Sequence, residues 1–255
     1  DVIAAIKKDP TSPYYADGTD KGIKEAVANL LDPKTNQFDN KYYIFKPEQS
    51  MEKLNAKIHL GTDGAISSDV RFEFSGGQYD SNLRLLGLKN DEIQETLKNR
   101  HYNLKINELK VNNLKNDRDE GKIGYDLSLK ANGFSKKIGN DLFFPVMPFY
   151  EAVMFSSNDE RKLPFENSFP FQDDYEIEYS IPVGYTFAEI PKSSSITTEF
   201  GSYTIDFTPK DGKLMVKRVL TINKGLYPKE KYKDYLAFRK QTASRDNTKI
   251  LLTKL

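Results

Sequence analysis

Residues 174–187, which read DYEIEYSIPVGYTF, carry the clearest pattern in this chain of 255 residues. Large apolar side chains occupy every second position from Tyr175 to Ile181, and acidic residues or serine lie between them. Because successive side chains of a strand point to opposite faces of a sheet, this alternation predicts one half-buried strand. Pro182 and Gly184 follow the strand and predict a turn.

The same two-residue period recurs along most of the chain. It flanks the turn sequences GTDG (61–64) and KDG (210–212), which predicts two hairpins. The stretches LKINELKV (104–111) and KIGYDLSLKA (122–131) predict another antiparallel pair, and TKILLTKL (248–255) predicts a closing strand. Many short strands with few helices are typical of a mainly β fold, and we expect an antiparallel β-sandwich with a few short helices.

Three segments carry helix signals. They are NDEIQETLKNR (90–100), YPKEKYKDYLAFRKQ (227–241) and the apolar positions from Ile23 to Leu31, with Pro33 marking the end of the last one. The following stretch, DPKTNQFDNK (32–41), reads as a linker.

One charged residue interrupts an apolar strand face. Arg218 lies among Leu214, Val216, Leu220 and Ile222, which alternate along the strand predicted after KDG. Long basic side chains commonly reach water from such positions, so we expect Arg218 at a strand end with its charged head in solvent.

Composition excludes several classes of protein. Lysine and arginine total 38 against 37 acidic residues, so no net field favours nucleic acid. The chain has no cysteine, which removes disulfides and thiolate nucleophiles, and its two histidines lack metal-ligand spacing. Its longest apolar stretch, 142–155, is shorter than the roughly 20 residues of a membrane-spanning helix. We therefore expect no metal, no cofactor and no membrane span.

Several C-terminal strings resemble a known family in their order and spacing. They are DLFFPVMPF (141–149), ERKLPFENSFPF (160–171), YSIPVGYTFAEIP (179–191), the long stretch 201–240 and KILLTK (249–254). Over roughly 46–255 the chain resembles the β-rich domain of unknown function that follows the transglutaminase-like core in bacterial envelope proteins. The resemblance implies an accessory domain and a periplasmic or cell-envelope location.

The N-terminal stretch DVIAAIKKDPTSPYYADGTD (1–20) is similar to the part of the transglutaminase-like core that joins its catalytic histidine to its catalytic aspartate. Asp17 matches the aspartate, but Asp1 stands where the histidine would be, and the nucleophilic cysteine has no counterpart. Either the catalytic half was cut away or lost, or the likeness is accidental. Asp17 before glycine also suits a plain turn. The expected domains are a core remnant and linker at 1–45 and a β-sandwich accessory domain at 46–255.

Aromatic residues are the candidate ligand-binding groups. Phe143, Phe144, Phe149 and Tyr150 lie near two prolines and predict a platform for a sugar or peptide, with membership of the core as the alternative. The paired tyrosines at 14–15 and 42–43 show a weaker form of the same signal.

Three further motifs favour structure over chemistry. Glu176 and Glu178 have a spacing compatible with an acid pair for glycoside hydrolysis, but they lie on the polar side of an amphipathic strand. SSSITT (193–198) lacks the flanking glycines and base of a serine nucleophile. SGGQYDS (75–81) lacks the lysine of a phosphate loop and predicts a bulge or sharp corner.

The expected function follows from these features. The chain is predicted to be a non-catalytic accessory domain that contacts a neighbouring domain or envelope protein, with no catalytic residue. The alternatives are a carbohydrate- or peptide-binding module, or a fragment of a cysteine protease or transglutaminase whose nucleophile lies upstream.

Overall fold

The computed structural model describes residues 27–32, 37–42, 46–150 and 161–255. The first two ranges are β1 (Val27–Asp32) and β2 (Gln37–Tyr42), which pair antiparallel. The predictions of a helix through Leu31 and of a linker at 32–41 are therefore wrong where the structure describes them. Short apolar runs such as Leu30 and Leu31 occur in both helices and strands, so this stretch does not discriminate between them. Asp17 and the rest of the proposed core remnant lie outside the described residues.

An eight-stranded sheet forms the larger layer of the fold. Its strands are, in order across the sheet, β12 (Ser194–Thr198), β13 (Gly201–Lys210), β14 (Lys213–Ile222), β10 (Phe171–Ser180), β3 (Met51–Leu60), β4 (Ile66–Ser75), β6 (Lys122–Asn132) and β5 (Lys105–Asp117). The alternation in the sequence decides the two faces: Tyr175, Ile177 and Tyr179 are buried, whereas the acidic residues between them face solvent in part.

The pairings within this sheet are antiparallel, with one exception. The strands β10 and β3 run parallel, in a register that sets Ile177 opposite Ala56. This seam joins a half made of residues 51–132 to a half made of residues 171–222. The predicted hairpins around GTDG and KDG are confirmed, but the sheet is mixed rather than purely antiparallel. Strand partners distant in sequence leave no mark in the local period, which is why the parallel seam was missed.

A four-stranded antiparallel sheet supplies the second layer. Its order is β11 (Tyr185–Glu189), β16 (Lys249–Lys254), β8 (Asp141–Pro145) and β7 (Lys136–Ile138). Phe144 of β8 packs against Tyr179 of β10, with ring centroids 5.0 Å apart, so the core lies between the two sheets. A two-stranded sheet of β9 (Phe165–Asn167) and β15 (Gly225–Tyr227) completes the strands of the described residues. The mainly β, sandwich-like architecture is confirmed.

Within the described ranges, three α-helices accompany the sheets. They are α1 (Gly77–Asp80), α2 (Asn90–Arg100) and α3 (Tyr232–Asp246), and short 3-10 turns lie at Pro47–Gln49, Leu83–Gly87 and Lys229–Lys231. The prediction for 90–100 is confirmed residue for residue. Among the described residues no helix has both the length and the apolar character to cross a membrane.

Gly201 starts β13 with a positive φ of 149°. A Cβ atom there would lie 1.9 Å from the backbone oxygen of Thr221 on β14, and backbone atoms cannot yield as a flexible side chain does. Gly87 is a matched control, because a Cβ at that position meets no atom within 4 Å.

We expect Gly201→Ala to lower the free energy of unfolding by at least about 2 kcal/mol, since it combines steric overlap with an unfavourable backbone conformation. Gly87→Ala is expected to be neutral or to stabilise by up to about 1 kcal/mol. Urea unfolding followed by circular dichroism measures both. Equal effects of the two changes would contradict the close approach of β13 and β14.

Candidate functional site

A buried ionic network lies between β14 and α3. Arg218 lies in the middle of β14 with 0% of its surface exposed, and its Nε and Nη2 atoms donate to Asp246 Oδ1 and Oδ2 at 2.9 and 3.0 Å. Asp246 is the last residue of α3. The bidentate pair therefore attaches the end of the helix to the inner face of the sheet.

The expectation that the Arg218 head lies in solvent is wrong. A two-residue period places Arg218 on the same face as Val216 and Leu220, and that face is covered by the second layer and by α3. The signal was present in the alternation itself. Asp246, the buried partner of Arg218, lies 28 residues further along the chain, so no local pattern indicates that the buried charge is neutralised.

Aromatic rings enclose the rest of the guanidinium group. The Arg218 Cζ atom lies 4.2 Å from the ring centroid of Tyr150, 5.1 Å from that of Tyr175 and 5.7 Å from that of Tyr203. The Tyr203 hydroxyl also donates to Asp246 Oδ1 at 2.7 Å. Burial, with the neighbouring Asp246 charge, raises the pKa of Tyr203, so the phenol stays a neutral donor.

Two further carboxyl groups lie beside this network. Asp173 of β10 and Glu52 of β3 are direct partners across the parallel seam. Asp173 Oδ2 lies 3.5 Å from Arg218 Nη1, and Asp173 Oδ1 accepts from Gln78 Nε2 at 3.0 Å. Glu52 Oε1 accepts from the Tyr175 hydroxyl at 2.7 Å. Neither carboxyl group stands out in the sequence, because only the register of β3 against β10 brings them together.

The pKa values of this carboxyl pair are shifted upward. Burial, followed by the charge of Asp173, raises the pKa of Glu52 to about 7, and Tyr175 and the nearby arginines Arg100 and Arg218 oppose that rise only in part. Burial also raises the pKa of Asp173, against the opposing effect of Arg218. Glu52 therefore titrates in the neutral range.

His101 is a core residue. Its ring packs against those of Phe72 and Phe149, with centroids 5.6 Å away in both cases, and those two rings also contact each other. Burial and the adjacent Arg100 lower the pKa of His101 to about 4, so the imidazole is neutral at physiological pH. Among the described residues, no group of three or more histidine and acidic side chains is placed to hold a metal ion.

An open cleft of about 430 Å³ lies at one end of the sandwich, and we call it the end cleft. It lies between the paired ends of β5 and β6 from the large sheet and those of β8 and β16 from the small one. Buried or half-buried apolar groups form its floor, and exposed amides and lysines form its rim. The lining residues are Asn103, Leu104, Lys105, Asn132, Gly133, Phe134, Pro145, Met147, Pro148, Tyr150, Asp246, Asn247 and Lys249.

The end cleft meets the ionic network at Tyr150 and Asp246. Asp246 presents little free charge, because only 1% of its side chain is exposed and both of its oxygens accept hydrogen bonds from Arg218. Burial raises the pKa of Tyr150, which keeps its hydroxyl protonated. Asn103 Nδ2 donates to the Pro148 carbonyl oxygen at 3.2 Å and so joins two sides of the cleft.

The four predicted ligand-binding aromatics do not lie together on one platform. Phe144 and Phe149 are buried in the core, against Tyr179 and against Phe72 with His101. Phe143 is half-buried on β8, and Tyr150 lines the end cleft. A role in binding for these residues stays a prediction, and Tyr150 is the one that faces a cavity large enough for a small ligand.

The acidic pair Glu176 and Glu178 and the motif SGGQYDS have structural roles. Glu176 pairs with Lys217, and Glu178 pairs with Lys213 at 2.8 Å, across the solvent face of β10 and β14. The Lys213 hydrogen bond lowers the pKa of Glu178, the opposite of what a general acid needs. SGGQYDS forms the predicted sharp corner, with a φ of 55° at Gly76, and continues into α1.

Comparison with known families supports the predicted resemblance as far as a C-terminal domain of unknown function. Residues 140–252, from just before β8 into β16, match the model of a family described as a domain of unknown function with a solved structure (DUF3858). No curated protein matches the chain. The match covers Arg218, Asp173 and Asp246, but Glu52 and the rim residue Lys105 lie outside it.

The ionic pair between Arg218 and Asp246 leads to a stability prediction. Asp246→Asn keeps the shape of the side chain but leaves Arg218 buried beside a neutral amide, so we expect a loss of about 3–5 kcal/mol in the free energy of unfolding. Tyr203→Phe removes one hydrogen bond to the same carboxylate, and about 1 kcal/mol is expected. Chemical denaturation measures both, and a loss for Asp246→Asn no larger than that for Tyr203→Phe would contradict the pairing.

The carboxyl group of Glu52 leads to a pH prediction. Its pKa rises from 4.5 to about 7 on folding, so between these values the folded state holds a proton that the unfolded state releases. Stability therefore falls as the pH rises through this window. Glu52→Gln cannot titrate, so this loss disappears. From pH 5 to pH 8 the free energy of unfolding of the unmodified chain should therefore fall relative to that of Glu52→Gln by on the order of 2 kcal/mol.

The exposed Glu73 on β4 supplies the control for this measurement. The free energies of unfolding of Glu73→Gln and of the unmodified chain should differ by the same small amount at pH 5 and at pH 8. Thermal or urea unfolding at the two pH values gives the comparison. If Glu52→Gln shows no more pH dependence than Glu73→Gln, Glu52 does not titrate between them.

Proposed function

We propose that this chain is a non-catalytic accessory domain that works by binding, in a bacterial envelope protein related to transglutaminase-like proteins. The observation that carries the proposal is the end cleft. Its solvent-accessible polar groups are amides and lysines, which suit recognition, and the carboxylate it contains is already neutralised by Arg218. The relationship to transglutaminase-like proteins and the envelope location rest on the sequence resemblance.

A second observation supports contact with a neighbouring domain. Three large apolar side chains near the β9–β15 sheet are mostly exposed: Leu163 at 72%, Phe169 at 66% and Leu226 at 74%. Leu226 pairs with Glu166, and Leu163 and Phe169 lie three residues on either side of Glu166. Exposed apolar groups that gather in one region favour an interaction surface, since scattered ones need no explanation.

Two other functions follow from the same features. A carbohydrate- or peptide-binding module is favoured by Tyr150 in the end cleft. A fragment of a cysteine protease or transglutaminase with its nucleophile upstream draws support from the resemblance of residues 1–20. The sequence of the parent gene upstream of Asp1 separates that last function from the others.

The proposal predicts that the chain has no acyl-transfer activity of its own. Incorporation of a fluorescent amine into casein, and cleavage of casein, should proceed at the rate of the blank. A cysteine-dependent transglutaminase serves as the positive control. Activity of the purified chain that persists in the presence of a chelator would overturn the proposal, and loss of that activity in Glu52→Gln would direct attention to the carboxyl pair at the seam.

A further inference from the structure

We infer that the end cleft binds an acidic sugar, with Lys105 and Lys249 contacting its carboxylate and the rim asparagines contacting its hydroxyl groups. This inference rests on the proposed binding function and specifies its ligand. The volume of about 430 Å³ falls within the range of small-molecule sites and suits one or two sugar rings.

The charge of the rim determines the sign of the charge that the ligand carries. Lys105 begins β5 and Lys249 begins β16, so one lysine comes from each sheet. Both are exposed, and neither forms an ion pair within the part of the chain that the structure describes. The acidic residue of the lining is Asp246, whose charge is compensated by Arg218. Among the described lining residues, the accessible charges of the rim are therefore positive, and they favour an anionic group.

The amides determine the chemistry beside that anion. Asn103, Asn132 and Asn247 are exposed on the rim, and each carboxamide offers both a donor and an acceptor. A sugar hydroxyl also donates and accepts, so the two kinds of group are complementary. The register places Asn132 directly opposite Lys105. The Asn132 amide and the Lys105 ammonium therefore lie on neighbouring strands. This arrangement suits a sugar ring that carries a hydroxyl group next to its carboxylate.

The framework around the rim is held in place before any ligand binds. Asn103 is joined to the Pro148 carbonyl, Tyr150 lies against the buried Arg218, and Asn247 follows the residue that anchors α3. A site whose walls are already ordered loses less conformational entropy on binding. The half-buried Tyr150 ring adds an aromatic surface next to the polar rim.

The experiment is a titration of the full chain, labelled with nitrogen-15, with trigalacturonate as the acidic probe and galactotriose as its neutral counterpart. Backbone amide shifts are expected around residues 103–105, 132–134 and 247–249 with the acidic sugar, and much weaker ones with the neutral sugar. Higher ionic strength should weaken the acidic interaction. The absence of shifts in these segments with trigalacturonate would overturn the inference.

Variants test which charges are responsible. Lys105→Gln combined with Lys249→Gln should raise the dissociation constant for trigalacturonate by at least about tenfold. Lys57→Gln, an equally exposed change on the solvent face of β3, should leave it unchanged. All three positions are exposed, so their spectra should remain those of the folded protein. Equal effects of the double variant and Lys57→Gln would contradict a specific site.

A third probe separates sugar from peptide. Tri-glutamate carries carboxylates without sugar hydroxyls, and we expect it to bind the end cleft less tightly than trigalacturonate. Tighter binding of tri-glutamate would overturn the inferred ligand class while leaving the binding function in place. Acyl-transfer activity in the earlier assay would instead overturn the non-catalytic function, so the two failures are distinguishable.

Discussion

The bidentate pair between Arg218 and Asp246 is the interaction on which the described architecture most depends. A guanidinium with no exposed surface in the middle of a strand is costly unless charge and hydrogen bonds compensate it. Asp246 supplies both, and it does so from the last residue of a helix. The pair therefore determines where α3 ends above the sheet, and with it the positions of Tyr150 and Asn247 at the end cleft.

Charges on the outside of the sheet have a different role. Glu176 and Glu178 pair with lysines of the neighbouring strand, and Arg71 pairs with Asp126 at 2.7 Å, with both side chains partly exposed. Such pairs contribute little to stability, and they leave a nearly neutral polar face. The lysines at the end cleft lack such partners among the described residues, and they line a cavity.

The parallel seam between β3 and β10 joins the two halves of the large sheet. It also sets Glu52 opposite Asp173, so the place where the halves meet carries a carboxyl group that titrates near neutral pH. The family match begins at residue 140 and covers the C-terminal half alone. The seam is thus where the matched part of the chain meets strands that lie outside the match.

The period of two determined the long strands of the large sheet, their hairpins and their buried faces, because alternation is a local consequence of strand geometry. It did not mark β1 and β2, which were predicted as part of a helix and a linker. The charge pattern of 90–100 likewise determined a helix with the same bounds. Only the tertiary structure decided that Arg218 pairs with Asp246, that Glu52 lies beside Asp173, and that Phe144 lies in the core while Tyr150 faces a cavity. These outcomes depend on which distant strands and helices pack together, and a local period carries no information about partners far along the chain.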